Sequence, residues 1–307
     1  MTWRWQELES AISQLAASAI RIRYVPNTGN AGDALIASGV WQFFDQLAVS
    51  PLVSRTPELA GGDTALYAGG GNLVPYYSDC AQFLERCLAV GVQRALVLPH
   101  TIRGHADLLG RLDARFTLVC RDADSLAWVK DRAPRAQAFF APDMALRLDV
   151  PRLFGWCERR ANRMRFLIDS ARFGTGVRYR RWRVAAAQLR PVNNVLTVFR
   201  TDVESVAAFS GSQAQDLSRL YGSNYRYRLD ADYVSRDFLQ VLLHAGVVRT
   251  NRLHVGIGAA LLGKQVQFVD NSYGKIRAVY ESSLSHLENV HWTAGPEVPR
   301  HSSAGRC

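Results

Sequence analysis

Several short stretches of the 307-residue chain place proton carriers and anion grips where an apolar run gives way to a polar turn. Asn27, Gly29, Asn30, Gly32 and Asp33 lie between an apolar run and an apolar-periodic one. The glycines and asparagines permit a tight turn with exposed backbone N–H groups. Asp33 falls where a first-turn acid belongs. It either serves the helix N-terminus or presents a carboxylate able to accept a proton from a hydroxyl. Gly69, Gly70, Gly71 and Asn72 form a second stretch, in which the backbone can pass close to a ligand or to another strand. It is not GxGxxG, and the chain holds no GxxxxGK[ST] phosphate loop. His100, behind Leu98 and Pro99, stands at a strand end, as a structural residue or a ligand contact. Arg121 follows Cys120 at another strand end, where a guanidinium can clamp an anion or be held by Asp122 or Asp124. Asp143, after Ala141 and Pro142, places an acid in the same kind of position.

The strongest local signal is the run Thr250, Asn251, Arg252, Leu253 and His254, between a predicted strand and a predicted helix. Free N–H groups and the dipole at a helix N-terminus attract phosphate, and Arg adds a two-pronged fork for phosphate or carboxylate. The alternative is a capped helix with incidental polar residues. The next strand ends in Asp270, Asn271, Ser272, Tyr273, Gly274 and Lys275, a second polar turn at the same sheet edge.

These residues need a scaffold that brings strand ends together. Apolar periodicity predicts strands at 20–25, 64–68, 95–98, 116–120, 138–141, 165–169, 195–199, 246–249 and 265–269. Helices are expected at 3–20, 33–47, 78–90, 106–115, 124–131, 232–244, 253–262 and 275–284. Pro99 and Pro142 are expected to stop their strands. Such alternation implies parallel sheets flanked by helices. Two α/β halves of similar size suggest two Rossmann-like lobes, 1–150 and 151–293, with a cleft between them and a flexible tail over 294–307. In open parallel sheets ligands bind beyond the carboxyl ends of the strands.

Composition is that of a globular protein, 48% hydrophobic and 21% charged. No run of 18 or more apolar residues appears, and the N-terminus does not read as a signal peptide. With five cysteines and no CxxC pair, reduced thiols in a cytoplasmic setting are expected, and no Cys/His spacing marks a metal site. The net charge of +10 favours anionic partners. Residues 150–190 interrupt the alternation with many arginines and interleaved Trp156, Phe166, Phe173, Tyr179 and Trp182. A solvated inter-domain segment, a nucleic-acid surface and a face toward anionic lipid are the three readings of that stretch. No RRM, KH, helix-turn-helix or zinc-finger pattern accompanies it, so nucleic acid is not an expected partner. Trp3 and Trp5 could meet a membrane surface or the core.

In this order the motifs resemble the polysaccharide pyruvyl transferase family. The matching stretches are 27–39, 69–73, 98–101, 121–125, 141–143, 252–254 and 270–281, most of the chain outside 150–190 and the tail. The resemblance implies two Rossmann-like lobes in a GT-B-type arrangement, no cofactor or metal, and phosphoenolpyruvate as co-substrate. It implies a cyclic pyruvyl ketal on a sugar of a surface polysaccharide, with a lipid-linked oligosaccharide the expected acceptor. Arg252 and His254 fall to the donor site, with Arg121 a second clamp and Asn251, Ser272 and Lys275 nearby. His254 is the candidate acid or phosphate ligand, Asp33 the candidate base and Asp143 its reserve. Asn27, Asn30, Gly70, Gly71, Asn72 and His100 are left to the acceptor side. A GT-B glycosyltransferase using a nucleotide sugar is the alternative, with Glu281 as its ribose carboxylate.

Overall fold

The structure, a computed structural model, describes residues 5–18, 21–172, 175–200, 216–218, 221–223, 225–269 and 275–293. After α1 (Gln6–Ser18) the chain runs through β1 (Ile22–Val25), β2 (Gly29–Asn30), α2 (Asp33–Gln46), β3 (Leu52–Val53), β4 (Thr64–Tyr67) and β5 (Gly70–Leu73). It continues with α3 (Asp79–Val90), β6 (Arg94–Ile102), α4 (Ala106–Arg111), β7 (Phe116–Cys120), α5 (Ala123–Arg132) and β8 (Gln137–Phe140). These strands, β2 excepted, form a parallel sheet in the order β3-β1-β4-β6-β7-β8, with β5 also pairing β6. β4 is buried along its whole length, as a parallel strand covered on both faces must be.

Three helices follow, α6 (Val150–Glu158), α7 (Arg160–Arg172) and α8 (Gly176–Gln188). The second half contains β9 (Val195–Val198), β10 (Gly222–Ser223), α9 (Arg228–Leu243), β11 (Val247–Thr250), α10 (Leu253–Leu261) and β12 (Gln265–Phe268). It closes with α11 (Lys275–Val279), which passes into a π-helical turn over Tyr280–Leu284, and β13 (Val290–Trp292). β13-β12-β11-β9 is a second parallel sheet. The halves are tied by antiparallel β2–β10 and by packing of α2 against α9, where the buried Ser38 and Ser235 hydroxyls bond at 3.0 Å. α10 lies close on its sheet because it carries no side chain at Gly256, where a β-carbon would stand 2.0 Å from Cζ of Phe268.

The alternation reads through correctly, with four corrections. Pro99 does not end its strand: β6 runs from Arg94 to Ile102. The proline falls where the register shifts between Val97 and His100, so its missing N–H costs little pairing. Gly70–Leu73, absent from the expected strands, is a strand beside β6. The strand expected at 165–169 is part of α7. Residues 150–190 are not a solvated connector, because α6, α7 and α8 all pack against α9. Phe166, Tyr179 and Trp182 are buried there, with Phe166 stacked on Tyr233 at 4.2 Å. The interleaved aromatics are therefore core, not a nucleic-acid platform; Phe173 lies outside the described residues.

Trp5 is likewise buried, with the Arg147 guanidinium 5.4 Å from its ring, while Trp3 is outside the described residues. Among the described residues no helix is long and apolar enough to cross a membrane. Cys80, Cys87, Cys120 and Cys157 are free and buried, and burial pushes the Cys157 thiol up to about 12. Cys307 and the 294–307 tail lie outside the described residues.

Candidate active site

A cavity of about 340 Å³ opens where the two sheets send their strand ends. Asn27, Asn30 and Asp33 reach it from the turn after β1, Arg121 from the end of β7, and Arg252 and His254 from the start of α10. Residues from eight stretches of sequence thus share one wall system, as the strand-end argument requires.

His254 is central. It is the second residue of α10, and its side chain is 12% exposed. Its Nδ1 lies 3.4 Å from Oδ1 of Asp33, and its Nε2 lies 3.5 Å from Oδ2 of Asp143. Both contacts are slightly longer than formed hydrogen bonds, and the imidazole lies between the two carboxylates. The two oxygens of Asp33 face different neighbours, neither of them an N–H of α2. Its Oδ2 accepts the Asn30 N–H at 2.9 Å, fixing the turn, while Oδ1 faces His254. Asn30 in turn accepts the Gly32 N–H at 2.8 Å.

Asp143 is fully buried, accepting from Arg121 Nη1 at 2.6 Å and from the Ala145 N–H at 2.9 Å. Burial alone would raise its pKa. The Arg121 guanidinium, and then His254, more than offset this and hold the carboxyl well below the usual carboxylate range. Arg121 is buried too, and its Nε donates to Thr101 Oγ1 at 2.9 Å. Neither Asp122 nor Asp124 is its partner. Asp122 caps α5 by accepting the Ser125 N–H at 2.8 Å and pairs with Arg103 at 2.9 Å.

Arg252 occupies the position just before α10, its N–H bonded to Thr250 Oγ1 at 2.9 Å. Its guanidinium forks onto both carboxylate oxygens of Asp216, with Nε to Oδ1 at 3.0 Å. Asn251 does not line the cavity; it accepts the Arg200 N–H at 2.7 Å and ties the end of β9 to that of β11. His100 and Gly70 also stand behind the wall. The fully buried His100 places Nε2 2.9 Å from the Asn72 N–H, and Asn72 Nδ2 donates to Asn27 Oδ1 at 2.7 Å. Gly70 has φ +147°, and a β-carbon there would meet Asn27 Nδ2 at 2.7 Å, so only glycine suits that position. Gly71 and Asn72 line the cavity directly. Ser272 and the Lys275 side chain lie outside the described residues. Glu281 is exposed and pairs with Arg277 at 2.8 Å.

Sequence reasoning missed Asp216, Arg200, Ser218, Thr28, Tyr77 and Asp79. Asp79 carried a signal, since it opens α3 as a first-turn acid just as Asp33 opens α2; it accepts from Thr28 Oγ1 at 3.2 Å. Asp216 carried none, standing in a stretch without apolar period.

Guanidinium groups, a helix N-terminus and an imidazole between two acids give this cavity the means to hold an anion and to move a proton. The family model of polysaccharide pyruvyl transferase matches residues 30–273, and the chain belongs to that family. It is thus a transferase of pyruvyl groups to polysaccharide, and the nucleotide-sugar alternative is not favoured. No curated protein matches the sequence significantly. Among solved structures, the chain is similar to a functionally uncharacterized protein from Klebsiella pneumoniae subsp. pneumoniae NTUH-K2044. The two are 27% identical with a TM-score of 0.75, over 96% of this chain and 100% of the other.

Proposed function

We propose that the enzyme takes pyruvate from phosphoenolpyruvate and closes it as a cyclic ketal on two hydroxyls of one sugar, releasing phosphate. The acceptor is a surface polysaccharide in its lipid-linked precursor form, met on the cytoplasmic side of the membrane. The observation that carries this reading is His254, held between Asp33 and Asp143 in a cavity that Arg121 and Arg252 also line. We read the two parallel sheets as the lobes of a GT-B-type arrangement, 1–150 on the acceptor side and 151–293 on the donor side.

Phosphoenolpyruvate carries a phosphate and a carboxylate. The positive charge of Arg252, oriented by Asp216, and the α10 N-terminus suit the phosphate, with Arg121 on the other anionic group. His254 delivers a proton to the vinyl carbon, which leaves oxocarbenium character on the neighbouring carbon. One sugar oxygen bonds to that carbon and its proton passes to Asp33. The carbon–oxygen bond to phosphate breaks with its electron pair on phosphate, and the second sugar oxygen closes the ring. Of the two hydroxyl protons, one balances the new methyl group and the other leaves with phosphate. Asp143, held ionised by Arg121, acts as a fixed counter-charge that orients the imidazole. Asn251, Ser272 and Lys275 belong to the donor side; Asn27, Asn30, Gly70, Gly71, Asn72 and His100 shape the acceptor side.

The test is incubation of the purified protein with phosphoenolpyruvate and a lipid-linked oligosaccharide, read by mass spectrometry. Added pyruvate with stoichiometric phosphate supports the reading. Binding of UDP- or GDP-sugars in place of phosphoenolpyruvate overturns it.

A further inference from the structure

We propose that the outer face of α7 docks the protein on an anionic phospholipid surface. A surface helix ordinarily turns its apolar side inward and its charges outward. α7 departs from that pattern. Phe166 and Ser170 face the core, yet Met164, Leu167 and Ile168 point into solvent at 61% exposure each. With exposed Ala171 they fall at the i, i+3, i+4 and i+7 positions of one face. At about 3.6 residues per turn, Arg163 borders this stripe on one side and Arg165 and Arg172 on the other, while Arg160 stands at its N-terminal end. All four arginines are exposed. Along the neighbouring α8, Val184 is 59% exposed and Arg180 and Arg181 are exposed as well.

An apolar ridge between two cationic rims matches one occupant in particular. Met164, Leu167 and Ile168 would enter the boundary between headgroups and acyl chains, while the long arginine stems let the guanidinium groups rise to lipid phosphates. Ten arginines and a single acid, Asp169, stand between residues 159 and 190, so an anionic leaflet attracts the whole helical layer. A second copy of the chain fits poorly, because its own cationic rims would face these. A nucleic acid fits poorly as well, because its phosphates would gain nothing from a ridge of Met, Leu and Ile.

The test uses the full chain and two vesicle types, equimolar phosphatidylglycerol with phosphatidylethanolamine, and phosphatidylcholine alone. Flotation should carry the protein with the anionic vesicles and not with the neutral ones, less so as salt rises. Replacing Met164, Leu167 and Ile168 together by Glu should abolish flotation. Replacing Arg160, Arg163 and Arg165 by Gln should lower partitioning roughly 100-fold, since each basic side chain near such a surface contributes about fivefold. All six positions are exposed, so cooperative unfolding at the wild-type denaturant midpoint checks each fold. If the Glu variant does not fold, the Gln variant and the salt titration of the wild type decide. Equal binding to neutral vesicles, no binding to anionic ones, or unchanged binding of the variants overturns the proposal. So does self-association that the Glu variant abolishes in a protein that never floats, which would make this face a contact between copies. None of these readouts depends on catalysis, so the docking surface and the proposed reaction fail separately.

Discussion

Arg121 donates to Asp143 at 2.6 Å with both side chains withdrawn from water, and the same carboxylate oxygen faces His254 at 3.5 Å. One buried pair therefore holds the imidazole from behind. Asp143→Asn leaves the Arg121 guanidinium buried without its counter-charge and should destabilise the fold by about 3–5 kcal/mol in denaturant unfolding. The Asp143 pKa is lower in the folded protein than in the unfolded chain. Its stabilising contribution is thus complete above about pH 4 and declines as pH falls further. Wild type should lose stability with acid more steeply than Asp143→Asn. Parallel acid profiles would show that the pair contributes little.

Asp232 behaves in the opposite sense. Burial raises its pKa to about 6, against the opposing effects of Ser38 and Arg228. The folded protein therefore binds this proton more tightly than the unfolded chain, and its contribution is complete below about pH 4 and lost as pH rises through about 6. Stability measured at successive pH values should show this component in the wild type and lack it in Asp232→Asn. A variant profile identical to wild type in that window refutes the assignment.

Arg252 pairs with Asp216 and is proposed to grip the donor. Arg252→Ala should weaken phosphoenolpyruvate binding by roughly 2–3 kcal/mol in calorimetric titration, the loss of a charge-assisted contact. It also removes a charged partner of the buried Asp216, so the melting temperature should fall. Asp216→Asn keeps the guanidinium but loosens its fork, and should cost less affinity than Arg252→Ala. Unchanged donor affinity in Arg252→Ala removes Arg252 from the donor site.

How far the sequence could be read depended on whether a residue's role is local. Asp33, Arg121, Asp143, Arg252 and His254 were all legible because each ends a strand or opens a helix, and parallel topology sends such positions to one edge. Their mutual arrangement was not. Nothing near Arg121 announces that Asp143, at the next strand end, outcompetes Asp122 for it, and Asp216 enters only through the tertiary fold. The short apolar run Phe166, Leu167 and Ile168 suits strand and helix alike. It reads as a strand until the structure turns Phe166 inward and leaves the other two in water. Pro99 misled because a strand with a register shift tolerates what a regular one does not.

Activity should persist in excess EDTA. Of the carboxylates at the site, Asp143 is engaged by Arg121, Asp33 by the Asn30 N–H and Asp79 by the Thr28 hydroxyl. Loss of turnover with chelator, restored by a divalent ion, would move the chemistry to a metal-dependent transferase.

His254→Gln separates proton delivery from phosphate binding. Glutamine keeps similar size and an N–H donor at the N-terminus of α10 but cannot deliver a proton at neutral pH. With the acid role, the variant should bind phosphoenolpyruvate nearly normally and lose on the order of 10²–10⁴-fold in turnover at saturating donor. With a ligand role alone, binding weakens while saturated turnover largely persists. Asp33 and Asp143 face the two ring nitrogens from opposite sides, an arrangement that glutamine cannot reproduce. Asp33→Asn serves as the companion measurement. It should keep the turn through its side-chain oxygen on the Asn30 N–H, and lower turnover with little change in donor affinity. Normal turnover in both variants would place the reacting centre elsewhere in the cavity and reduce His254 to a residue that helps pack α10 against α2.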